Sequence, residues 1–106
     1  MRKIVKQILL LCAMGMSTSL LVRKLEKQAA AEGYECEIDA CSAFDVDEFQ
    51  KKPDLIVLGP QVRHRLEEFR DKYPEKKVIA LDTVLYGMMD AKSILKIIKK
   101  ELEQAE

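Results

Sequence analysis

A cysteine followed by small and hydroxyl residues is the part of this sequence best suited to chemistry. The segment reads Leu11-Cys12-Ala13-Met14-Gly15-Met16-Ser17-Thr18-Ser19-Leu20, between an apolar run and a helical pattern. In such a loop several backbone N–H groups can turn inward, and their partial charges add to those of the helix N-terminus. The segment therefore predicts a cradle for an oxyanion such as a phosphoryl group.

Each residue type in this loop has a chemical interpretation and a simpler one. Loop amides would favour the thiolate form of Cys12 and make it a nucleophile, whereas the simpler reading is a small buried hydrophobe. Gly15 would let the backbone approach a ligand closely, or would only form a turn. The hydroxyl run would hydrogen-bond phosphate oxygens, or would only cap the helix. Their occurrence together favours a phosphoryl group carried on sulfur.

The spacing after Cys12 separates two kinds of phosphate chemistry. Low-molecular-weight cysteine phosphatases use a Cys-x5-Arg loop, whose guanidinium stabilises the transition state. Here the sixth residue after Cys12 is Thr18, which favours storage and transfer of a phosphoryl group over rapid hydrolysis. The alternatives are a cysteine phosphatase-like or arsenate-reductase-like enzyme, and a regulatory binding module that has lost the chemistry.

Alternating strand and helix patterns must position this loop. Short apolar or alternating runs predict strands at residues 8–11, 34–40, 55–58 and 78–81. Helical spacing predicts helices over 20–29, ended by Gly33, over 62–73, ended by Pro74, and after Asp90. With a further helix between the second and third strands, the order βαβ(α)βαβα predicts a three-layer α/β sandwich around a mostly parallel sheet. Ligands bind beyond the carboxyl ends of such strands, so function is expected after Leu11, Leu58 and Leu81.

Composition narrows the class of protein. The chain has 106 residues, with 18 Lys and Arg against 18 Asp and Glu, and 48% hydrophobic residues. These values predict one domain, over residues 3–106, and argue against a nucleic-acid partner, whose phosphates demand excess positive charge. No apolar run approaches the roughly 20 residues needed to cross a bilayer, and the start does not resemble a signal peptide. A cytoplasmic protein is expected.

The odd cysteine count predicts free thiols in a reducing compartment. Besides Cys12, the sequence contains Cys36 and Cys41, which we expect to be ordinary strand residues. A zinc site made of Cys36, Cys41 and His64, the single histidine, matches no standard ligand spacing. We therefore expect neither a metal nor an organic cofactor.

Three motifs occur in order along the chain: Leu10-Leu11-Cys12-Ala13-Met14-Gly15-Met16-Ser17-Thr18-Ser19-Leu20-Leu21-Val22, Leu58-Gly59-Pro60-Gln61-Val62, and Leu85-Tyr86-Gly87-Met88-Met89-Asp90. Together they resemble the lactose/cellobiose-type (type 3) enzyme IIB component of the bacterial phosphoenolpyruvate-dependent sugar phosphotransferase system. The resemblance extends over about residues 3–103. It implies a four-stranded parallel sheet of order 2-1-3-4, flanked by helices, with a phosphate-binding loop after strand 1.

The same resemblance implies a mechanism and a set of site residues. Cys12 would be a phosphocysteine intermediate that accepts a phosphoryl group from a phosphohistidine of enzyme IIA and donates it to a sugar on the membrane enzyme IIC. The phosphate would be bound by Ala13, Met14, Gly15, Met16, Ser17 and Thr18. Gln61, Asp82 and Tyr86 would border the site or a partner, the alternatives being a turn, a cap and core packing.

Some features implied by the resemblance stay open or depart from the family pattern. The protein would be cytoplasmic and would bind transiently at the inner face of the cell membrane through enzyme IIC. Its sugar is open among cellobiose, lactose, chitobiose and related β-glycosides. His64 stands where the family commonly has tyrosine, Met14 where it has a small residue and Ala91 where it has glycine.

Overall fold

The computed structural model describes residues 5–12, 16–42 and 53–103. Four strands form one sheet: β1 (Lys6–Cys12), β2 (Cys36–Ser42), β3 (Leu55–Leu58) and β4 (Lys77–Ala80). All neighbouring strands are parallel, and their order is β2-β1-β3-β4. This confirms the predicted parallel sheet of order 2-1-3-4. The predicted helix between β2 and β3, and residues 13–15 of the predicted loop, lie outside the described residues.

The position of each strand in the sheet follows from its sequence. β3 is buried at every residue, and β1 is buried from Ile8 onward, because helices cover both faces of the two central strands. In β2 the charged Glu37 alternates with the buried Ile38, as expected for a strand at an edge of the sheet. β2 ends two residues later, and β4 one residue earlier, than the sequence predicts.

Helices complete the layers on both sides of the sheet. They are α1 (Met16–Glu32), a 3-10 helix (Pro60–Arg65), α2 (Leu66–Lys72), α3 (Thr83–Gly87) and α4 (Ala91–Glu103). Gly33 ends α1 as predicted, with the left-handed φ of +67° that glycine adopts without strain. The helix predicted over 62–73 is divided instead, since Val62 leaves helical dihedral angles. The sequence did not predict α3, because five residues are too few for a periodic apolar pattern.

The core lies in two parts, one on each face of the sheet. On one face, Ile8 and Leu10 of β1 point toward α1, α3 and α4 and join the larger cluster of buried residues. On the other face, Leu9 and Leu11 point toward α2, where Phe69 is fully buried. The alternation of β1 side chains therefore fixes which helices lie on each side. Within the described ranges, no helix has the length and apolar character required to span a membrane.

Candidate functional site

The carboxyl ends of three strands meet at one edge of the sheet. The Leu11 carbonyl of β1 accepts a hydrogen bond from the Gly59 N–H at 2.8 Å, and the Leu58 carbonyl accepts one from the Leu81 N–H at 2.8 Å. The parallel pairing thus continues one residue beyond β3 and β4. It holds the loops predicted to carry function side by side.

Cys12 is the last residue of β1 and lies at this edge, opposite Ser42 of β2. The sequence left open a reactive thiol or a small buried hydrophobe at this position, and in the structure the residue is buried, with only 1% of its surface exposed. Its Sγ lies 3.9 Å from the Cys41 carbonyl oxygen, a weak hydrogen bond that orients the thiol. A reaction at this sulfur therefore requires the thiol to become accessible.

Helix α1 begins at Met16, four residues after Cys12. The backbone of Met16, Ser17 and Thr18 forms its first turn, where N–H groups have no acceptor within the helix. This 17-residue helix presents its positive end to the segment that joins it to Cys12. Ala13, Met14 and Gly15, the remaining residues of the predicted phosphate loop, lie outside the described residues.

Gly59 is a residue of this edge that the sequence reasoning did not single out. A Cβ atom placed on it would lie 2.8 Å from Gln61 Oε1, 3.3 Å from the Leu11 carbonyl oxygen and 3.5 Å from the Tyr86 ring. Its backbone dihedral angles are ordinary, so glycine is required by this close approach alone. The Gly59-Pro60 pair in the sequence indicated a turn, but no sequence signal indicated the contact with β1.

Gln61 lies in the first turn of the 3-10 helix, with its side chain exposed. Its carboxamide folds back over Gly59, as the short distance to Oε1 shows. Because Gly59 is hydrogen-bonded to Leu11, the residue before Cys12, this amide lies on the β1 side of the turn. Gln61 is therefore close to the end of β1. Its side-chain NH₂ group can donate hydrogen bonds and its side-chain oxygen can accept them.

Asp82 and Tyr86 have evident structural roles. Asp82 caps α3: its Oδ2 accepts hydrogen bonds from the Val84 N–H at 3.0 Å and the Leu85 N–H at 3.2 Å. Tyr86 is 7% exposed and belongs to the larger core cluster, with its ring near Gly59. Capping and packing, the alternatives considered from sequence, therefore account for what the structure shows of both residues.

The two other cysteines do not join a metal site with His64. Cys36 packs against the larger core cluster and Cys41 against the smaller one, so they lie on opposite faces of β2. Among the described residues, no group of three His, Cys, Asp or Glu side chains is arranged to hold a metal ion. Burial raises the pKa of the Cys36 thiol, and the nearby Glu26 carboxylate raises it further, which disfavours the nucleophilic form of that cysteine.

The arrangement at the carboxyl edge combines a thiol, the start of a helix and an amide side chain. Backbone N–H groups and a helix dipole can neutralise the charge of a bound phosphoryl group without any cationic side chain. A thiolate is a competent nucleophile toward phosphorus and, when protonation is not required, a competent leaving group. The edge is thus equipped to accept a phosphoryl group and release it to another molecule.

A family model and individual relatives of known name all indicate the same family. The family described as PTS system, Lactose/Cellobiose specific IIB subunit, matches residues 7–97. The oligo-beta-mannoside-specific EIIB component of Bacillus subtilis is 40% identical over 90 residues, covering 82% of this chain and 86% of that protein. The galactose-specific EIIB component of Lactococcus lactis subsp. cremoris is 42% identical over 98 residues, covering 85% of this chain and 90% of that protein.

A solved structure supports the fold. The lactose-specific IIB component domain from Streptococcus pneumoniae superimposes with a TM-score of 0.81, covering 91% of this chain and 96% of that chain. Its sequence identity is 18%, so this similarity concerns the fold alone. The order and direction of the four strands predicted from sequence agree with it.

Proposed function

The chain belongs to the lactose/cellobiose-specific IIB family, whose members are phosphotransferase subunits in sugar uptake, and from this membership we propose that Cys12 carries the phosphoryl group. The observation that carries the proposal is the position of Cys12. It ends the central strand β1, four residues before the start of α1. Ligands of parallel α/β sheets bind at this place.

The chemistry of the three cysteines supports the same assignment. Cys36 is at the opposite end of the sheet, at the first residue of β2, and burial disfavours its thiolate. Cys41 packs against the smaller core cluster. Cys36 is followed directly by the rest of strand β2 and not by a helix N-terminus, so no positive helix dipole lies next to it in the chain to stabilise an attached phosphoryl group.

The proposed first transfer takes the phosphoryl group from a phosphohistidine of enzyme IIA. The Cys12 thiolate attacks phosphorus in line with the leaving imidazole, so that an S–P bond forms as the N–P bond breaks. Loop amides and the α1 N-terminus stabilise the charge spread over the phosphoryl oxygens. In this proposal residues 13–18 supply these amides, and Gln61, whose carboxamide lies beside Gly59, donates a further hydrogen bond.

The proposed second transfer gives the phosphoryl group to a sugar held by enzyme IIC. A sugar hydroxyl attacks phosphorus, an O–P bond forms, and the S–P bond breaks to return the thiolate. The loop contains no arginine to stabilise the transition state of hydrolysis, so in this proposal the phosphocysteine persists until it meets the sugar. The relatives above are named for different sugars at similar identity, which shows that overall similarity does not distinguish the sugar.

The burial of Cys12 adds a requirement to both steps. Because Cys12 is only 1% exposed, its sulfur must become accessible before it can reach phosphorus on a second protein. We expect the free protein to react slowly with iodoacetamide at Cys12.

The assignment is tested by intact-mass measurement after incubation with phosphoenolpyruvate, the general phosphotransferase proteins and a matched enzyme IIA. One phosphoryl adduct is expected, mapped by fragmentation to Cys12 and absent in Cys12→Ala. Cys36→Ala and Cys41→Ala are the matched controls and should keep the adduct. An adduct retained by Cys12→Ala would disprove the role of this cysteine.

Hydrolysis distinguishes a carrier from a phosphatase. The purified protein should show negligible turnover of p-nitrophenyl phosphate, since Thr18 stands where phosphatases have arginine. Appreciable turnover that disappears in Cys12→Ala would contradict the carrier function. Absence of an adduct under conditions that phosphorylate a control IIB protein would instead favour a binding module.

A further inference from the structure

A groove runs between helices α1 and α4 on the outer side of the larger core cluster. Its volume is about 630 Å³, and it is lined by Gln28, Ala31 and Glu32 of α1 and by Lys92, Lys96, Lys99, Lys100 and Glu103 of α4. Two helices form its walls, so the groove is open along its length. An open trough of this kind fits an elongated partner better than a small molecule, which needs enclosure on most sides.

The groove is remote from Cys12. Glu32, the last residue of α1, is hydrogen-bonded to Lys99 at 2.9 Å, which places this part of α4 beside the end of α1. Helix α1 begins at the Cys12 edge and, over 17 residues, ends at the opposite edge of the sheet. The groove therefore belongs to a surface that a phosphoryl donor or acceptor at Cys12 leaves uncovered.

The charges within the groove are not balanced. Lys99 is engaged by Glu32 and also lies 5.2 Å from the centre of the Tyr34 ring. Glu32 is satisfied in turn by Lys99 and by the Gln28 amide, and these hydrogen bonds lower its pKa. The remaining lysines, Lys92, Lys96 and Lys100, form no ion pair with a described residue, although the charge of Lys92 also helps to lower the pKa of Glu32, and they outnumber Glu103. A chain of zero net charge therefore concentrates positive charge in this groove.

The three lysines also have a regular geometry. They recur every four residues along α4, so their Cα atoms are about 6 Å apart along the helix axis. Carboxylates placed at i and i+4 on another helix have the same spacing. Ala31 and the lysine stems supply apolar walls, against which an apolar helix face can pack.

From this match of shape, charge and spacing, we propose that the groove between α1 and α4 docks an acidic amphipathic helix of a protein partner. The concave surface favours a rod-like partner over a flat lipid surface. A partner held there would keep the carrier close while the Cys12 edge exchanges its donor and acceptor, which raises their effective concentration. This interaction is separate from the transfer reaction and does not depend on the identity of the phosphorylated cysteine.

The test is titration of the full chain, labelled with 15N, by a synthetic helical peptide with a leucine and alanine face flanked by glutamates at i and i+4. Saturable chemical-shift changes are expected at residues 28–32 and 92–103. The same peptide with glutamine in place of glutamate should bind weakly, and added salt should weaken the glutamate peptide. Absence of saturable changes with the glutamate peptide would overturn the proposal.

Matched variants locate the binding. Lys96→Gln with Lys100→Gln should weaken the glutamate peptide about five- to tenfold, as expected for the loss of two ion pairs. Lys24→Gln with Lys27→Gln changes the net charge equally, outside the groove, and should have little effect. Equal weakening by both pairs would overturn the proposal, because the attraction would then be nonspecific.

Two further measurements distinguish helix docking from lipid binding and from a role of the groove in phosphoryl transfer. Binding to phosphatidylglycerol vesicles that depends on Lys96 and Lys100, without binding of the peptide, would assign the groove to lipid and overturn the helix-docking proposal. Phosphorylation of the Lys96→Gln, Lys100→Gln variant should equal that of the natural sequence. A loss of phosphorylation would show that the groove serves the transfer itself, contrary to the proposal.

Discussion

The two ends of the sheet handle the polar groups of their strands in different ways. At the amino end, Asp54 and Gln7 satisfy each other: the Gln7 N–H donates to Asp54 Oδ2 and the Asp54 N–H to the Gln7 carbonyl, both at 2.7 Å. The Gln7 amide also donates to Glu37 at 3.1 Å, although its buried Oε1 lacks a partner among the described residues. At the carboxyl end, β1, β3 and β4 are joined by backbone hydrogen bonds, while Gln61 and Asp82 are exposed.

The polar side chains at the two ends of the sheet therefore have different roles. At the amino end, the Asp54 carboxylate and the Gln7 side-chain N–H are engaged in hydrogen bonds within the protein, so these groups are not available to a ligand. At the carboxyl end, backbone pairing fixes the strands and Gly59 brings β3 close to β1. The exposed Gln61 side chain and the start of α1 lie at this end. We expect substitutions at the amino end to affect stability alone, and those at the carboxyl end to affect phosphoryl transfer as well.

The largest effect is expected from Gly59→Val. Its side chain would meet the Leu11 carbonyl and the Tyr86 ring, so overpacking should lower the free energy of unfolding by about 2 kcal/mol. Displacement of β1 beside Cys12 should slow phosphorylation at least about tenfold. Urea unfolding and the initial rate of adduct formation measure the two effects. Gly59→Ala should show smaller changes of the same kind, and normal phosphorylation in Gly59→Val would show that this approach does not position Cys12.

Asp54→Ala tests the amino end. Loss of the hydrogen bond from the Gln7 N–H to this carboxylate should lower the free energy of unfolding by about 1.5 kcal/mol, with the phosphorylation rate unchanged. Asp71→Ala removes an exposed carboxylate from α2 and is the control, for which little change is expected. A slower phosphorylation in Asp54→Ala, at full occupancy of the folded state, would contradict the division between the two ends.

Asp82 allows capping to be separated from a role in the site. Asp82→Ala should cost about 1 kcal/mol because α3 loses its N-cap, and amide exchange should increase at Val84 and Leu85. Asp82→Ser keeps a capping oxygen and should restore most of the stability. If Asp82→Ser is stable but phosphorylates slowly, the carboxylate contributes to transfer beyond its capping role.

The smallest effect concerns pH and the Glu32–Lys99 pair. The hydrogen bond from Lys99 lowers the pKa of Glu32 below 4.5, so its contribution is present above that pH and is lost as the pH falls through the lowered value. Glu32→Gln should therefore melt slightly below the natural sequence at pH 7, and the difference should vanish in acid. Thermal melting of both proteins, followed by circular dichroism at pH 7 and in acid, measures this difference. A difference in melting temperature that grows in acid would contradict the lowered pKa of Glu32.

Much of the fold could be predicted because strong local patterns agree with one another. The continuous apolar runs of β1 and β3 indicated central strands, and the alternation around Ile38 indicated an edge strand. Gly33 marked the end of α1. The errors occurred where the local signal was short: α3 has five residues, and the 3-10 helix retains an apolar spacing that resembles one longer α-helix.

The candidate site was less predictable, because its geometry depends on residues distant in sequence. Cys12 could be singled out from its neighbours, but its burial depends on the packing around the end of β1. Gly59 gave only a turn signal, since its contacts with Leu11 and Tyr86 arise from the strand register. The groove between α1 and α4 could not be predicted, as its two walls are separated by about half the chain.

The sequence by itself determined the order of the four strands along the chain, the zero net charge and the place of Cys12 after an apolar run. These properties are local, since they depend on side-chain periodicity and on residue type. The tertiary structure alone decided that Cys12 is buried, that Gly59 contacts β1, and that four lysines of α4 line a groove with α1. The physical reason is that burial, close approach and unbalanced charge arise only when segments remote in the chain are packed together.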